Sequence, residues 1–208
     1  MTTKTGTESA PAPAGAECDV ALEAPAAGAP AAGSDAFDNR FTRQFGQPGE
    51  RPRKKVVPYL DAHVQEFISR APFLVMSTSN AAGRCDASPK GGRPGFVAIL
   101  DERHLLVPDV AGNRLFQSYL NMTENPNVGL LFMIPGSDST VRVNGRVRLI
   151  DRDEVLRHVD GLSVYWKDDN TVLLQGVLVE VEEAYGHCPR AFRFADLWNP
   201  QPPAAAGR

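Results

Sequence analysis

Two periodicities divide the middle of the chain. Leu60, Val64, Phe67 and Ile68 recur at three- and four-residue spacing, predicting a helix over 58–70 that starts at Pro58, stops at Ala71-Pro72 and leaves His63 on its exposed side. Phe73–Ser79 then reads as a strand, Asn80-Ala81-Ala82-Gly83 as a hairpin turn and Arg84–Lys90 as a second strand. Pro89 confines that second run to a sheet edge or a bulge, because proline cannot donate to a ladder; the alternative is a strand that ends at Ser88. After the loop Gly91–Gly95, strands are predicted at Phe96–Leu100 and Leu105–Pro108, the latter delivering the chain to a loop at Asp109–Gly112.

A second helix is predicted from Asn113, with Leu115, Phe116, Tyr119, Leu120 and Met122 on its buried face and Asn125-Pro126 as its stop. Val128–Ile134 is nearly all apolar, which predicts a strand buried on both sides. Past the turn Pro135–Asp138, Val141, Val143, Val147 and Leu149 alternate with Arg142, Asn144, Arg146 and Arg148: a long strand with one apolar and one basic face. Asp151 and Glu154 offer a capping box for a short helix through Val159. Asp160–Asn170 reads as irregular, with Tyr165 and Trp166 packing on the core or covering a pocket, and Thr171–Val181 as the last strand. Six or so strands in no βαβ order predict a mainly β fold, an antiparallel β-barrel with flanking helices. Its open edges would be covered by a second subunit.

The pattern divides the chain into a tail over 1–45, a leading segment and helix over 46–71, the barrel over 72–185 and a C-terminal segment over 186–208. From Ala10 to Gly33, 18 of 24 residues are Ala, Pro or Gly, so the tail cannot offset its ordering entropy by burial. It lacks a basic segment followed by an apolar core, which argues against a secretory signal and leaves a linker or transit role. No run of about 18 apolar residues predicts a membrane span. A net charge of −3 argues against a nucleic-acid partner, with Arg51-Pro52-Arg53-Lys54-Lys55 as the one basic cluster. Cys18, Cys85 and Cys188 form no Cys-x-x-Cys pair, and His63, His104, His158 and His187 are scattered, so neither a disulfide framework nor a common zinc spacing is present. A cytoplasmic protein with reduced thiols is the expectation.

Gly112-Asn113-Arg114 at a helix start has two readings, a capped surface helix or an anion site. In the second, free N–H groups, the helix dipole and a guanidinium converge on a phosphate. Gly91-Gly92 is not followed by Gly-Lys-Ser/Thr, and Gly-x-Gly-x-x-Gly is absent, so triphosphate and dinucleotide motifs are excluded.

Ser88-Pro89-Lys90-Gly91, Pro108-Asp109, Gly112-Asn113-Arg114, Asn125-Pro126 with Val128–Phe132, Ile134-Pro135-Gly136 and Val141-Arg142-Val143-Asn144-Gly145 together resemble the pyridoxamine 5'-phosphate oxidase-like flavoproteins. The likeness runs from about Pro72 to Val181. Asp86–Gly91 and His187-Cys188 resemble a subgroup distinct from the true oxidase, whose Arg-x-x-x-Leu-Lys pattern and basic C-terminal segment are missing here. The resemblance implies an FMN-binding split barrel of antiparallel strands and a homodimer with flavin at the interface. It places Ser88, Pro89, Lys90 and Gly91 along the isoalloxazine and Asn113 and Arg114 at the phosphate, with Pro108 and Asp109 as further cofactor-binding candidates. Thr140 and Arg142 fall beneath the flavin, and His187 and Trp198 on a C-terminal segment reaching the partner's flavin region.

The function so implied is an FMN-dependent oxidoreductase acting on a small molecule, with electrons from a nicotinamide donor and no protein nucleophile. The alternatives are a flavin, deazaflavin or haem carrier without turnover, and an interaction protein that docks through its basic segment and tail.

Overall fold

The computed structural model describes residues 37–159 and 172–199. Two short helices, α1 (Arg40–Phe45) and α2 (Glu50–Lys54), bury none of their residues. The chain then runs through α3 (Ala62–Arg70), β1 (Phe73–Ser79), β2 (Cys85–Gly91), β3 (Ala98–Ile99), β4 (His104–Val110), α4 (Gln117–Glu124), β5 (Asn127–Met133), β6 (Thr140–Asp151), α5 (Arg152–His158), β7 (Leu173–His187) and α6 (Arg190–Ala195). The strands form one seven-stranded sheet in the order β2-β1-β5-β6-β7-β4-β3, every pairing antiparallel. The mainly β fold is the one expected, and each of the seven strands falls on a run read as strand in the sequence.

The sheet curls. Leu74 and Met76 of β1 share one buried cluster with Leu105 and Val107 of β4, although three strands lie between β1 and β4. α3 closes that interior with Val64, Phe67 and Ile68, all buried. The curl tightens at a register shift between Asn144 and Gly145. Gly145 is required there, since a Cβ would collide with the Glu180 carbonyl. The edges stay apart, β2 at one and the two-residue β3 at the other, so the barrel is split.

Pro89 sits within β2, opposite Val75, on the sheet edge that proline demands. The strand therefore does not end at Ser88. α3 starts at Ala62, later than predicted, because the Asp61 side chain accepts from Val64 N and fixes the cap there. At α5 half of the capping box forms: Asp151 accepts from Glu154 N, while the Glu154 carboxylate turns to Arg148 at 2.7 Å. The predicted strand at Phe96–Leu100 shrinks to Ala98–Ile99, and Leu105–Pro108 extends to Val110, so Asp109 joins Pro108 in the ladder rather than opening a loop. β5 is fully buried on one side and half-buried on the other.

β7 continues six residues beyond the predicted end at Val181. Its charged stretch gains ladder partners from the long β6, and past β4 its other edge is taken by Val57, which exchanges hydrogen bonds with Ala184. The predicted irregular stretch with Tyr165 and Trp166 lies outside the described residues. No described helix is long and apolar enough to cross a membrane, and no group of His, Cys, Asp and Glu among the described residues is placed to hold a metal.

Candidate functional site

The second predicted helix starts late. Arg114 and Phe116 both adopt positive φ, 59° and 51°, so the backbone from Asn113 is a loop and α4 begins at Gln117. Leu115, Phe116 and Leu120, predicted as a core stripe, are exposed, and Tyr119 and Met122 alone of that set are buried. The loop is shaped by Asn113, whose Oδ1 accepts from Leu115 N at 3.1 Å. No side chain caps the first turn of α4.

Between this loop, the inner side of β2 and the end of β4 lies a cleft of about 560 Å³, within the range of small-molecule and cofactor sites. Ser88, Pro89, Lys90 and Gly91 line one wall, Pro108 and Asp109 the floor, and Asn113 and Arg114 the opposite lip. Eight predicted residues, scattered over three segments, thus meet. Asp86, Gln117, Ser118, Tyr119 and Leu174 also line it and were not predicted. Asp86 had a signal, the Asp-x-Ser-Pro pattern; Ser118 and Tyr119 had none, because their partners are distant in sequence.

Register explains why the wall is polar. Asp86 and Lys90 pair with Thr78 and Leu74, both buried, and Ser88 with Met76, also buried, so all three point inward under α4. There the Ser118 hydroxyl donates to Asp86, in a short contact. Lys90 Nζ donates to Tyr119 Oη at 3.1 Å, stands over its ring at 4.9 Å and lies 3.6 Å from the buried carboxylate of Asp109. Gln175 Nε2 donates to the other oxygen of Asp109 at 3.3 Å. Asn121 donates to Thr78 and Asn125 to Ser79, extending the polar seam between α4 and the β1–β2 hairpin.

The remaining predicted residues lie elsewhere in the chain. Thr140, Arg142 and His187 stand on the β6–β7 ladder, three and four strands from β2, and Trp198 donates from Nε1 to Ser137 O at 2.8 Å beyond α6. None of them lines the cleft of its own chain: β7 meets the cleft at Leu174, near its start, whereas His187 stands at its far end, where it pairs with Thr140.

The lining can take an elongated ligand with an anionic group at one end and a flat polar ring at the other. One end offers the Arg114 guanidinium and an uncapped helix N-terminus for a phosphate, and the other an edge strand with Lys90 for a flat polar ring.

A model of the family described as pyridoxamine 5'-phosphate oxidase matches residues 60–187. No curated protein matches the sequence. Among solved structures, HupZ of Group A Streptococcus is similar at 14% identity and a TM-score of 0.45, over 59% of this chain and 91% of that one. General stress protein 26 of Bacillus anthracis str. Sterne is similar at 13% identity and 0.43, over 59% and 88%. A protein named F420 reductase stands at 15% and 0.37, over 59% and 94%. At these scores the likeness fixes nothing about chemistry.

Proposed function

The chain belongs to the pyridoxamine 5'-phosphate oxidase family, and from that premise we propose that it is an FMN-dependent oxidoreductase acting on a small molecule, with electrons supplied by a nicotinamide donor. The observation that carries the reading is the two-ended donor set of the cleft. Arg114 neutralises the phosphate, and Asn113, whose Oδ1 is already used in the loop, contributes its amide N–H. Pro89 and Gly91 present backbone at the sheet edge, while Ser88 and Lys90 hydrogen-bond the ring from the inner side. Asp109 holds Lys90 in place, and Leu115 and Phe116 at the lip shed water from the cleft. Bound there, the isoalloxazine supplies hydride chemistry. The same donors would hold a deazaflavin.

The reading includes a homodimer with the flavin at its interface, consistent with the half-buried apolar side chains Val75, Leu131 and Met133 on the outer side of β1 and β5. Light scattering that reports a monomer at micromolar concentration would remove this part.

The test is the absorption spectrum of the purified protein, chromatography of whatever denaturation releases, and titration with FMN. Arg114→Ala should weaken FMN binding tenfold to hundredfold, about 1.5–3 kcal/mol for a hydrogen bond to a charged group. NADPH should bleach the bound chromophore; a flavin that it does not reduce makes the protein a carrier. A colourless protein that takes up no FMN at micromolar concentration would sink the proposal.

A further inference from the structure

The chain ahead of the barrel is built unlike the rest of the molecule. α1 and α2 lie outside the residues matched by the family model, and neither buries a residue. At six and five residues they are too short to hold helical form unaided. Side chains fix them instead. Asn39 and Thr42 close a capping box on α1, and Arg43 pairs with Asp38 at 2.9 Å. Arg53 of α2 donates to Gln47 at 2.9 Å, with its guanidinium carbon 5.6 Å from the centre of the Phe37 ring. Lys55 and Val57 then tether the unit to β7, through Gly186 O at 2.7 Å and the bridge to Ala184.

What this unit presents is apolar and basic at once. Phe41 and Phe45 stand four residues apart, hence side by side on one face of α1, and are 56% and 76% exposed. The Arg40 guanidinium carbon lies 4.6 Å from the centre of the Phe41 ring. Residues 51–55 are all exposed. Over 37–55 six cations face only Asp38 and Glu50, a net +4 in a chain of net −3, so the other residues carry −7. Arg40, Arg51 and Arg53 have no ion pair among the described residues.

We propose that the unit over 37–55 is a docking surface for an anionic phospholipid membrane, on which the protein lies without crossing it. Charge sets the orientation: an acidic lipid surface attracts the +4 unit and repels the −7 remainder, so this end leads. Composition selects lipid over a second copy of the chain. The centre of a protein interface is depleted in charge, whereas a headgroup layer takes phenylalanine rings and arginines together. The rings reach the acyl boundary and the guanidinia stay among the phosphates. Because the unit is already fixed by its own side chains, contact costs little further ordering entropy. The proposal uses no residue of the cleft and is independent of the cofactor reading.

The experiment sediments the full chain with vesicles of phosphatidylcholine alone or of phosphatidylcholine and phosphatidylserine in equimolar mixture. The expected result is saturable binding to the mixed vesicles alone, weakening as salt is raised. Phe41→Ser with Phe45→Ser, and separately Arg40→Gln with Arg51→Gln, should each lower the affinity about tenfold or more and leave the unfolding midpoint of the barrel unchanged. Arg40→Lys with Arg51→Lys should keep most of the binding, since charge rather than hydrogen-bond geometry is at work. Leu120→Ser, exposed as well but on α4, should bind like the parent. Equal binding to both kinds of vesicle, no binding to the mixed ones, or parental binding by either the serine or the glutamine pair overturns the proposal. So does a protein that ignores the mixed vesicles and binds a single-stranded oligonucleotide at the same salt, which makes the partner a nucleic acid. Light scattering without vesicles covers the remaining case: a mass halved by Phe41→Ser with Phe45→Ser would mean that a second copy covers this face, and the membrane reading falls.

Discussion

The cleft and the ladder cluster both hold lysine or arginine beside tyrosine, yet they handle charge in opposite ways. In the cleft, Lys90 donates to Tyr119 and faces Asp109, itself held by Gln175, and Asp86 takes the Ser118 hydroxyl. Every member is fixed by another, so the network sets geometry and leaves Arg114, exposed at the lip, as the lining cation with no ion pair among the described residues. On the ladder, Lys55 and Arg142 share the face of Tyr185 with no carboxylate beside them among the described residues. Pairing gives rigidity; an aromatic face attracts a cation without neutralising it.

That contrast can be broken first at Lys90. Lys90→Met leaves Asp109 buried without its counter-charge and should cost about 3 kcal/mol in chemical denaturation, whereas Lys90→Met with Asp109→Leu should recover most of it. A double variant as unstable as the single one would show that packing, not pairing, holds the cleft floor. Ser118→Ala strips the hydroxyl from Asp86 and should cost about 1–2 kcal/mol. On the ladder, Tyr185→Leu should cost less, about 0.5–1 kcal/mol for the lost cation–π support, and should speed amide exchange at Ala184, where Val57 is hydrogen-bonded. Unchanged exchange would mean that Lys55 is held by Gly186 alone.

The smallest effect concerns pH. His187 is held in the folded chain below its ordinary value of 6.5, so the unfolded chain binds the proton first as pH falls. The contribution is therefore complete above 6.5, declines as pH drops through it and levels off once the folded imidazole also protonates. His187→Gln should flatten that slope in denaturation midpoints measured across this window.

Strand alternation was legible in β6; β5 was legible as a strand from its apolar run, though one side of it is only half-buried, and Pro89 narrowed β2 to an edge strand or an early end. The helix start was not, because Leu115, Phe116 and Leu120 carry helical spacing that the positive φ of Arg114 and Phe116 interrupts. Nothing in the side chains of an arginine or a phenylalanine advertises that conformation. The far half of β7 was hidden for another reason: Glu182, Glu183 and His187 have no apolar alternation and are strand only because β6 supplies the ladder. In the candidate site the residues on β2 and around Asn113 were readable as motifs, whereas the pairs Asp86–Ser118 and Lys90–Tyr119 join positions 32 and 29 residues apart and exist only once α4 lies over the hairpin.

β7, the last strand in sequence, stands between β6 and β4, and β4 has no other long neighbour. While the chain is still emerging from a ribosome, β2, β1, β5 and β6 can pair, but the β3–β4 hairpin has nowhere to dock until residues 173–180 are free. The floor of the cleft, Pro108 and Asp109, belongs to that waiting hairpin. A nascent chain released early by a stop codon near residue 172 would therefore carry the motifs on β2 and around Arg114 intact, yet present no ligand cavity at all, and exposed Leu105 and Val107 would mark it for chaperones or proteolysis.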